Sequence, residues 1–323
     1  MRAVQIRTLD GPSAVEVVDV PEPTPGPDDL LVDVHMAGVT FPEVLQSRGE
    51  YQVKPELPFV PGSEVAGVVR TAPDGGRIRA GDRVIAFPGL GGFAEAVVAN
   101  PVMTFPLPDG VGFDKAAALP MNYLTMHFGL ARRGRLQPGE SVLVHGAAGG
   151  IGTAAIQLAR AMGAGRVVGV TSTQEKADVA RKAGADDVVL AEGFKDAVKE
   201  LTGGKGVDVV VDPVGGDRFT DSLRCLGREG RLLVIGFTEG SIPTVKVNRL
   251  LLNNVSVVGV GWGAFFLADL GYLQEQWAAV RPMLESGQLD PVIGATFPLE
   301  QASAALLEID ERRALGKVLL QVR

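Results

Sequence analysis

Apolar residues along this chain follow two different periods, and the change comes near residue 120. From Met1 to about Met121, short runs rich in Val, Leu and Ile are broken by Gly and Pro. Val15-Glu16-Val17-Val18-Asp19-Val20 runs into the proline-dense Pro21-Glu22-Pro23-Thr24-Pro25-Gly26-Pro27, after which Leu30-Leu31-Val32-Asp33-Val34 resumes. A second break, Leu57-Pro58-Phe59-Val60-Pro61-Gly62, precedes Glu64-Val65-Ala66-Gly67-Val68-Val69, and a further pair of strands is expected around residues 81–87. Many short strands at this spacing predict a compact all-β barrel or sandwich.

Past Leu119 the period lengthens. Residues 122–134 have helical spacing, and from Ser141 onward strands alternate with helical stretches, the pattern of βαβ units and a parallel sheet. Strands are predicted at 141–146, 166–171, 187–190, 207–212, 230–235 and 255–260. Six is the number a complete dinucleotide-binding sheet needs. A helical stretch then runs from about Leu267 to Glu285, and Val292-Ile293 and Val318-Leu319-Leu320 return to short strands. The C-terminal segment is therefore expected to complete the first domain, giving a β-rich domain of residues 1–121 with 267–323 and an α/β domain of 122–266. No repeat of 20–50 residues and no low-complexity tract interrupts this order.

Composition narrows the classes. The 323 residues are 46% hydrophobic and 21% charged, enough apolar material for sizeable cores. The 42 glycines are near twice the usual ~7% and point to tight turns and close backbone approaches. A net charge of −7 argues against a nucleic-acid footprint, which needs a cationic face. A single cysteine, Cys225, forbids an intramolecular disulfide, the N-terminus has no apolar leader, and no apolar run approaches the ~18 residues of a membrane span. A cytoplasmic location without membrane or nucleic-acid partners is the expectation.

Chemistry concentrates in Ser141-Val142-Leu143-Val144-His145-Gly146-Ala147-Ala148-Gly149-Gly150-Ile151-Gly152, which leads into an Ala-rich helical stretch. A strand running into small residues and then a helix lets backbone amides approach a pyrophosphate, aided by the helix dipole. Ala147, Ala148, Gly149, Gly150, Ile151 and Gly152 are the candidate phosphate-binding residues. The second strand speaks to the nucleotide's type. NAD-selective sites place an Asp or Glu about 20 residues past the glycines, but here Val167-Val168-Gly169-Val170 ends in Thr171-Ser172-Thr173-Gln174, with no carboxylate before Glu175. Ser172 can donate to a 2′-phosphate and Lys176 can neutralise it, which favours NADPH. The plainer reading makes Ser172 a helix cap and Lys176 a solvated side chain.

Zinc needs clustered ligands, and the chain offers one Cys with three scattered histidines, His35, His127 and His145, and no CxxC pair. Catalytic zinc is not expected. Cys225, at apolar spacing in Ser222-Leu223-Arg224-Cys225-Leu226, reads as a small buried hydrophobe. No Gly-x-Ser-x-Gly elbow suggests a hydrolase.

Several segments together resemble the zinc-independent quinone oxidoreductases of the medium-chain dehydrogenase/reductase superfamily, over essentially the whole chain. They are Ala37-Gly38-Val39-Thr40-Phe41-Pro42-Glu43, Gly49-Glu50-Tyr51-Gln52, the stretch Leu57-Pro58-Phe59-Val60-Pro61-Gly62 continued by Ser63-Glu64-Val65-Ala66-Gly67, Leu124-Thr125, the glycine turn, and Gly316-Lys317-Val318. Zinc alcohol dehydrogenases of that superfamily carry a Cys near the first segment and a His before the glutamate of the third, where this chain has Thr40 and Ser63. The resemblance implies a GroES-like catalytic domain plus a Rossmann doubly wound parallel-sheet domain, with the active cleft between them. It implies a homodimer through the Rossmann sheet edge, residues 255–261, opening on Val255 and closing on Gly261.

NADPH would be the cofactor, with Thr125 and Phe237 near the nicotinamide, the turn from Ala147 to Gly152 on the pyrophosphate, and Ser172, Lys176 and Lys317 on phosphate. Thr40, Tyr51 and Trp262 would face the substrate, with Thr40 and Tyr51 as the catalytic candidates and Tyr51 as proton donor. Two departures stand out. Thr40 replaces the Asn of many members and offers a single donor. Leu190 replaces a Tyr at the end of the third strand and keeps only an apolar contact. The expected reaction is NADPH-dependent reduction of a quinone. Reduction of an enone or enoyl thioester, with Arg132, Arg133 and Arg135 as a conceivable coenzyme A contact, is the alternative reaction. A non-enzymatic NADPH-binding protein is the alternative of a different class.

Overall fold

The structure, a computed structural model, describes residues 1–323. The chain divides into two compact units. The first holds Met1–Met121, Asp269–Arg281 and Pro291–Arg323, and the second holds Asn122–Ala268 and Pro282–Asp290. Residues 282–290 thus belong with the nucleotide-type unit rather than with the β-rich one. Gln157 supplies a reason: its amide donates to the Asp290 carbonyl at 2.7 Å and accepts from the Asp290 N–H at 2.9 Å. No helix is long and apolar enough to cross a membrane.

Seven strands open the first unit: β1 (Arg2–Gln5), β2 (Glu16–Asp19), β3 (Leu30–Val39), β4 (Glu64–Thr71), β5 (Arg83–Ala86), β6 (Ala96–Ala99) and β7 (Thr104–Pro106). The second unit follows with β8 (Ser141–His145), β9 (Arg166–Thr171), β10 (Asp187–Leu190), β11 (Val207–Asp212), β12 (Leu226–Val234) and β13 (Ser256–Gly259). The chain then returns β14 (Ile293–Pro298) and β15 (Lys317–Gln321) to the first unit.

In the first unit β1 and β2 form a small antiparallel ribbon, and the main sheet runs β14-β15-β3-β4-β5-β7, with β6 also paired to β3. The long β3 is its centre, antiparallel to β4, β6 and β15. One glycine there is dictated by packing. A methyl on Gly38 would lie 2.6 Å from the Ala117 carbonyl oxygen and 2.7 Å from Glu64 Cγ, so only glycine lets those groups approach β3. Val32, Val34, Val65, Val84, Leu306 and Leu320 fill the core behind the sheet, and each such side chain contributes roughly 1.5–3 kcal/mol by leaving water.

The second unit is a six-stranded sheet in the order β10-β9-β8-β11-β12-β13, all pairs parallel. Strand order therefore reverses between β8 and β11, the switch point at which doubly wound sheets bind ligands. Val142 to Val144, Val167, Val168, Val209 to Val211, Leu232 and Leu233 are fully buried, as expected of strands covered on both faces. β12 starts at Leu226, four residues before the predicted 230, because Leu226 pairs with Val207 ahead of an irregularity in the ladder. Cys225 ends the helix Phe219–Arg224 and is buried, as its apolar spacing predicts; burial pushes its thiol up to about 12.

Candidate active site

The nucleotide-type elements lie at the C-terminal ends of β8, β9 and β11. β8 ends at His145, Gly146 turns with a φ of 57°, and the helix Gly150–Ala161 begins four residues later. Its cap, Gly149, has no side chain to satisfy the first amides, so the N–H groups of its opening turn point outward without an intrahelical partner. Gly152 is packed against the strand end: a methyl there would sit 2.6 Å from Ala147 Cα. At Gly149 a methyl would meet only the Gly146 carbonyl oxygen, at 3.5 Å, so nothing from the chain fills the space before the helix. A tight inner glycine, an open outer one, and uncapped amides fit a pyrophosphate.

Neighbouring residues frame this turn. Asn122, not anticipated from the sequence, lays its amide over Gly150, where a methyl would meet its Cγ at 3.2 Å. Thr125 is buried in the helical stretch from Pro120 to Arg133, which widens into π turns on both sides of residues 125–127. Asp212, at the end of β11, accepts the N–H groups of Val214 and Gly215 at 2.9 Å each and so fixes the loop across the switch point. Phe237 follows β12 and packs over Gly215. At the end of β9, Thr173 rather than Ser172 is the helix cap, taking the Lys176 N–H at 3.3 Å. Ser172 is exposed, and no carboxylate precedes Glu175. Leu190 is exposed at the end of β10. Trp262 is buried against Phe266, ring centroids 4.6 Å apart, and Arg132 lies over the Phe265 ring.

His145 is fully buried under the turn, edge-on to Phe194. Ser222 Oγ lies 2.9 Å from His145 Nε2 and 3.1 Å from the Arg218 carbonyl oxygen, so the imidazole is hydrogen-bonded to a hydroxyl that is itself anchored to the backbone. Burial pushes the imidazole down to about 4, despite the nearby Asp212. The folded protein thus binds fewer protons here than the unfolded chain, whose histidine titrates near 6.5. This contribution to stability is complete above about pH 6.5 and disappears as the pH falls toward 4, a loss of about 3 kcal/mol. Denaturant titrations at several pH values check it: His145→Gln should lack that part of the acid slope, and an unchanged slope would remove His145 as its source.

The first unit gathers a different set. Thr40 ends β3's connection and precedes the helix Phe41–Ser47, whose second residue, Pro42, occupies the first turn, where its missing N–H costs nothing. Glu43, one turn in, caps back: its Oε2 accepts the Thr40 N–H at 2.9 Å and also the Thr40 hydroxyl. Its Oε1 accepts the Ser63 N–H at 3.0 Å and the Ser63 hydroxyl at 2.6 Å. Glu43 is 1% exposed, and burial holds its carboxyl above the usual range against the opposing pull of both hydroxyls and Lys317. Beside it Glu64 accepts the Met121 N–H at 2.6 Å and forms a buried ion pair with Lys317. Tyr51 is half-buried; burial first and the Glu43 charge second hold its phenol above its ordinary value.

The structure thus brings Thr40 together with Ser63, Glu43, Glu64 and Lys317. Lys317 is 3% exposed, and its ammonium is paired with Glu64. No local signal in the sequence marks that pair, whose members are 253 residues apart. Nowhere do three or more His, Cys, Asp or Glu side chains gather in an arrangement able to hold a metal ion.

An oxidoreductase built on a GroES-like unit and a Rossmann unit is what these features define. Family models agree with each part: an alcohol dehydrogenase GroES-like domain matches residues 26–109, and a zinc-binding dehydrogenase domain matches residues 150–286. Quinone oxidoreductase-like protein 2 of Mus musculus is 39% identical over 325 residues, covering 100% of this chain and 92% of its own. Among solved structures, a probable oxidoreductase from Mycobacterium abscessus superposes with a TM-score of 0.92 at 46% identity, covering 100% of this chain and 99% of that one. An Escherichia coli quinone oxidoreductase complexed with NADPH superposes with a TM-score of 0.91 at 29% identity, covering both chains completely. The chain belongs to the quinone oxidoreductase-like family of the medium-chain dehydrogenase/reductase superfamily.

Proposed function

We propose that this chain reduces quinones with NADPH and without zinc. The observation that carries the reading is the Thr40–Glu43–Ser63 cluster. The Thr40 and Ser63 hydroxyls, both tied to the buried Glu43, stand where metal-dependent relatives have a thiolate and an imidazole, so the acceptor meets hydroxyl chemistry in place of a metal. NADPH is the cofactor, in keeping with the NADPH-complexed Escherichia coli relative and with the open turn at Gly149.

NADPH supplies a hydride, and the chain supplies position, desolvation and a proton. Ala147 to Gly152 hold the pyrophosphate with the uncapped amides, while Thr125 and Phe237 flank the nicotinamide. Ser172 donates to the 2′-phosphate and Lys176 neutralises it. Thr40 and Tyr51 face the acceptor oxygen. Tyr51, a phenol that burial holds above its ordinary value, can hydrogen-bond that oxygen as it gains charge.

Association into a homodimer is part of the proposal. β13 is an unpaired sheet edge, and the preceding helix Asn248–Asn253 exposes Leu251 and Leu252 at 77% and 74%. With one cysteine and no intramolecular disulfide, the chain suits the reducing cytoplasm.

NADPH oxidation against a benzoquinone, a naphthoquinone, a phenanthrenequinone, an enone and an enoyl thioester tests the reading, with NADH in parallel and sedimentation of the same preparation reading the dimer. Turnover confined to quinones and to NADPH supports it. Preference for the enone or thioester moves the chain to the ene-reductases, and binding without turnover makes it a non-enzymatic NADPH-binding protein. Lys176→Ala should raise the KM for NADPH about tenfold, one charged hydrogen bond, and leave NADH unchanged; equal effects on both nucleotides would take Lys176 off the 2′-phosphate.

A further inference from the structure

Capping the helix Phe41–Ser47 requires only one of the four donors that Glu43 receives, the Thr40 N–H. The other three are the Thr40 hydroxyl, the Ser63 hydroxyl and the Ser63 N–H. A hydroxyl has one proton. With Glu43 ionised, both hydroxyl protons point at the carboxylate, and Thr40 can show an acceptor's oxygen only lone pairs. That polarity is wrong for an oxygen gaining negative charge. A proton on Glu43 reverses it: the carboxylic acid donates to Thr40 Oγ1, and the threonine's own proton turns outward.

We propose that Glu43 stores the proton that accompanies reduction and passes it through the Thr40 hydroxyl to the acceptor oxygen. This rests on the functional reading above, in which Thr40 meets the acceptor. In the step, the acceptor gains a hydride, two electrons, from NADPH, which leaves as NADP⁺, and its oxygen becomes negative. An O–H bond forms on that oxygen as the Thr40 O–H bond breaks. The Glu43 O–H bond breaks as the Thr40 hydroxyl is remade, and the negative charge ends on Glu43, where four donors receive it. One proton from solvent resets the cycle.

Surroundings suit a neutral resting acid. Glu43 is walled off from water, and the charged groups facing it are Lys317 on β15 and Glu64 on β4, already paired with each other, together with the Tyr51 phenol. Burial favours the protonated form, Glu64 adds to it, and Lys317 and the two hydroxyls oppose it. Glu43 is a positioning and proton-holding residue in this scheme, and Thr40 is the group that touches the acceptor.

Infrared spectra of the ligand-free protein across pH read the stored proton directly. A carbonyl stretch of a protonated carboxyl should persist above the ordinary glutamate value of about 4.3 and be absent from Glu43→Gln. In quinone turnover, kcat should fall as the pH rises through that titration. Thr40→Val, which leaves Glu43 in place, should keep the infrared band, lower kcat about a hundredfold and erase the pH limb, and Thr40→Ser should restore both. Absence of a Glu43 band overturns the relay, and so does a Thr40→Val protein with wild-type kcat and pH limb. A wild-type protein that fails to oxidise NADPH with every acceptor of the panel sinks the functional reading itself and the relay with it, an outcome seen before any variant is made.

Discussion

Lys317→Met should destabilise the protein by about 3–5 kcal/mol, because it leaves the buried Glu64 without its ion-pair partner. Both side chains are almost wholly buried, Glu64 fully. Glu64 retains the Met121 N–H, but one neutral hydrogen bond does not replace an ammonium. Removing both charges is a different perturbation. Lys317→Met combined with Glu64→Gln keeps a carbonyl oxygen for Met121 and should recover most of the loss, since a buried pair repays little beyond its own desolvation. Urea unfolding of the two single variants and the double variant measures the coupling, and a Lys317→Met protein as stable as wild type would contradict it. The same double variant separates this role from a contact with phosphate. Held by Glu64, Lys317 should leave NADPH affinity untouched; a tenfold loss in the stable double variant would return it to the nucleotide.

Gly152→Ala is expected to be the most damaging single methyl in the second unit. The added carbon would meet Ala147 Cα at 2.6 Å and its carbonyl carbon at 2.8 Å, backbone that cannot rotate away. The helix Gly150–Ala161 must then lift off the end of β8. Stability should fall by about 3 kcal/mol, the upper end for overpacking. NADPH affinity should fall about a hundredfold as the amides of the opening turn lose their aim, the equivalent of one or two charged hydrogen bonds. Gly149→Ala, with open space before it, is the control for folding and should leave stability nearly unchanged. Calorimetric titration of both variants decides; wild-type affinity in Gly152→Ala would mean that the turn does not hold the nucleotide.

The parallel sheet was the most readable part of the chain. Runs such as Val207 to Asp212 and Arg166 to Thr171 are dominated by valine because both faces of their middle residues are covered, and their ends coincide with the strands. Elements whose reason is tertiary were harder to see. Leu226 to Gly230, with two glycines and two charges, reads as a turn and becomes strand only because Val207 pairs with Leu226. The helix Ala302–Asp310 sets Ala302, Ala305, Leu306 and Ile309 on the core at helical spacing, but it has no side-chain cap to mark its start. The glycine turn and the carboxylate-free end of β9 were legible because phosphate chemistry constrains neighbouring residues. By contrast, Glu43, Ser63, Glu64 and Lys317 meet across 20 to 253 residues, and their roles follow from desolvation, which no spacing in sequence reveals.

Cys225 has a practical consequence for any spectroscopist approaching this fold. Its thiol is buried and pushed up to about 12, so at neutral pH the fraction present as thiolate, the form that reacts with maleimides and iodoacetamides, is vanishingly small. The unaltered chain is therefore a silent background for site-directed labels. One cysteine introduced on the exposed surface of each unit would carry a dye pair without first deleting the native thiol.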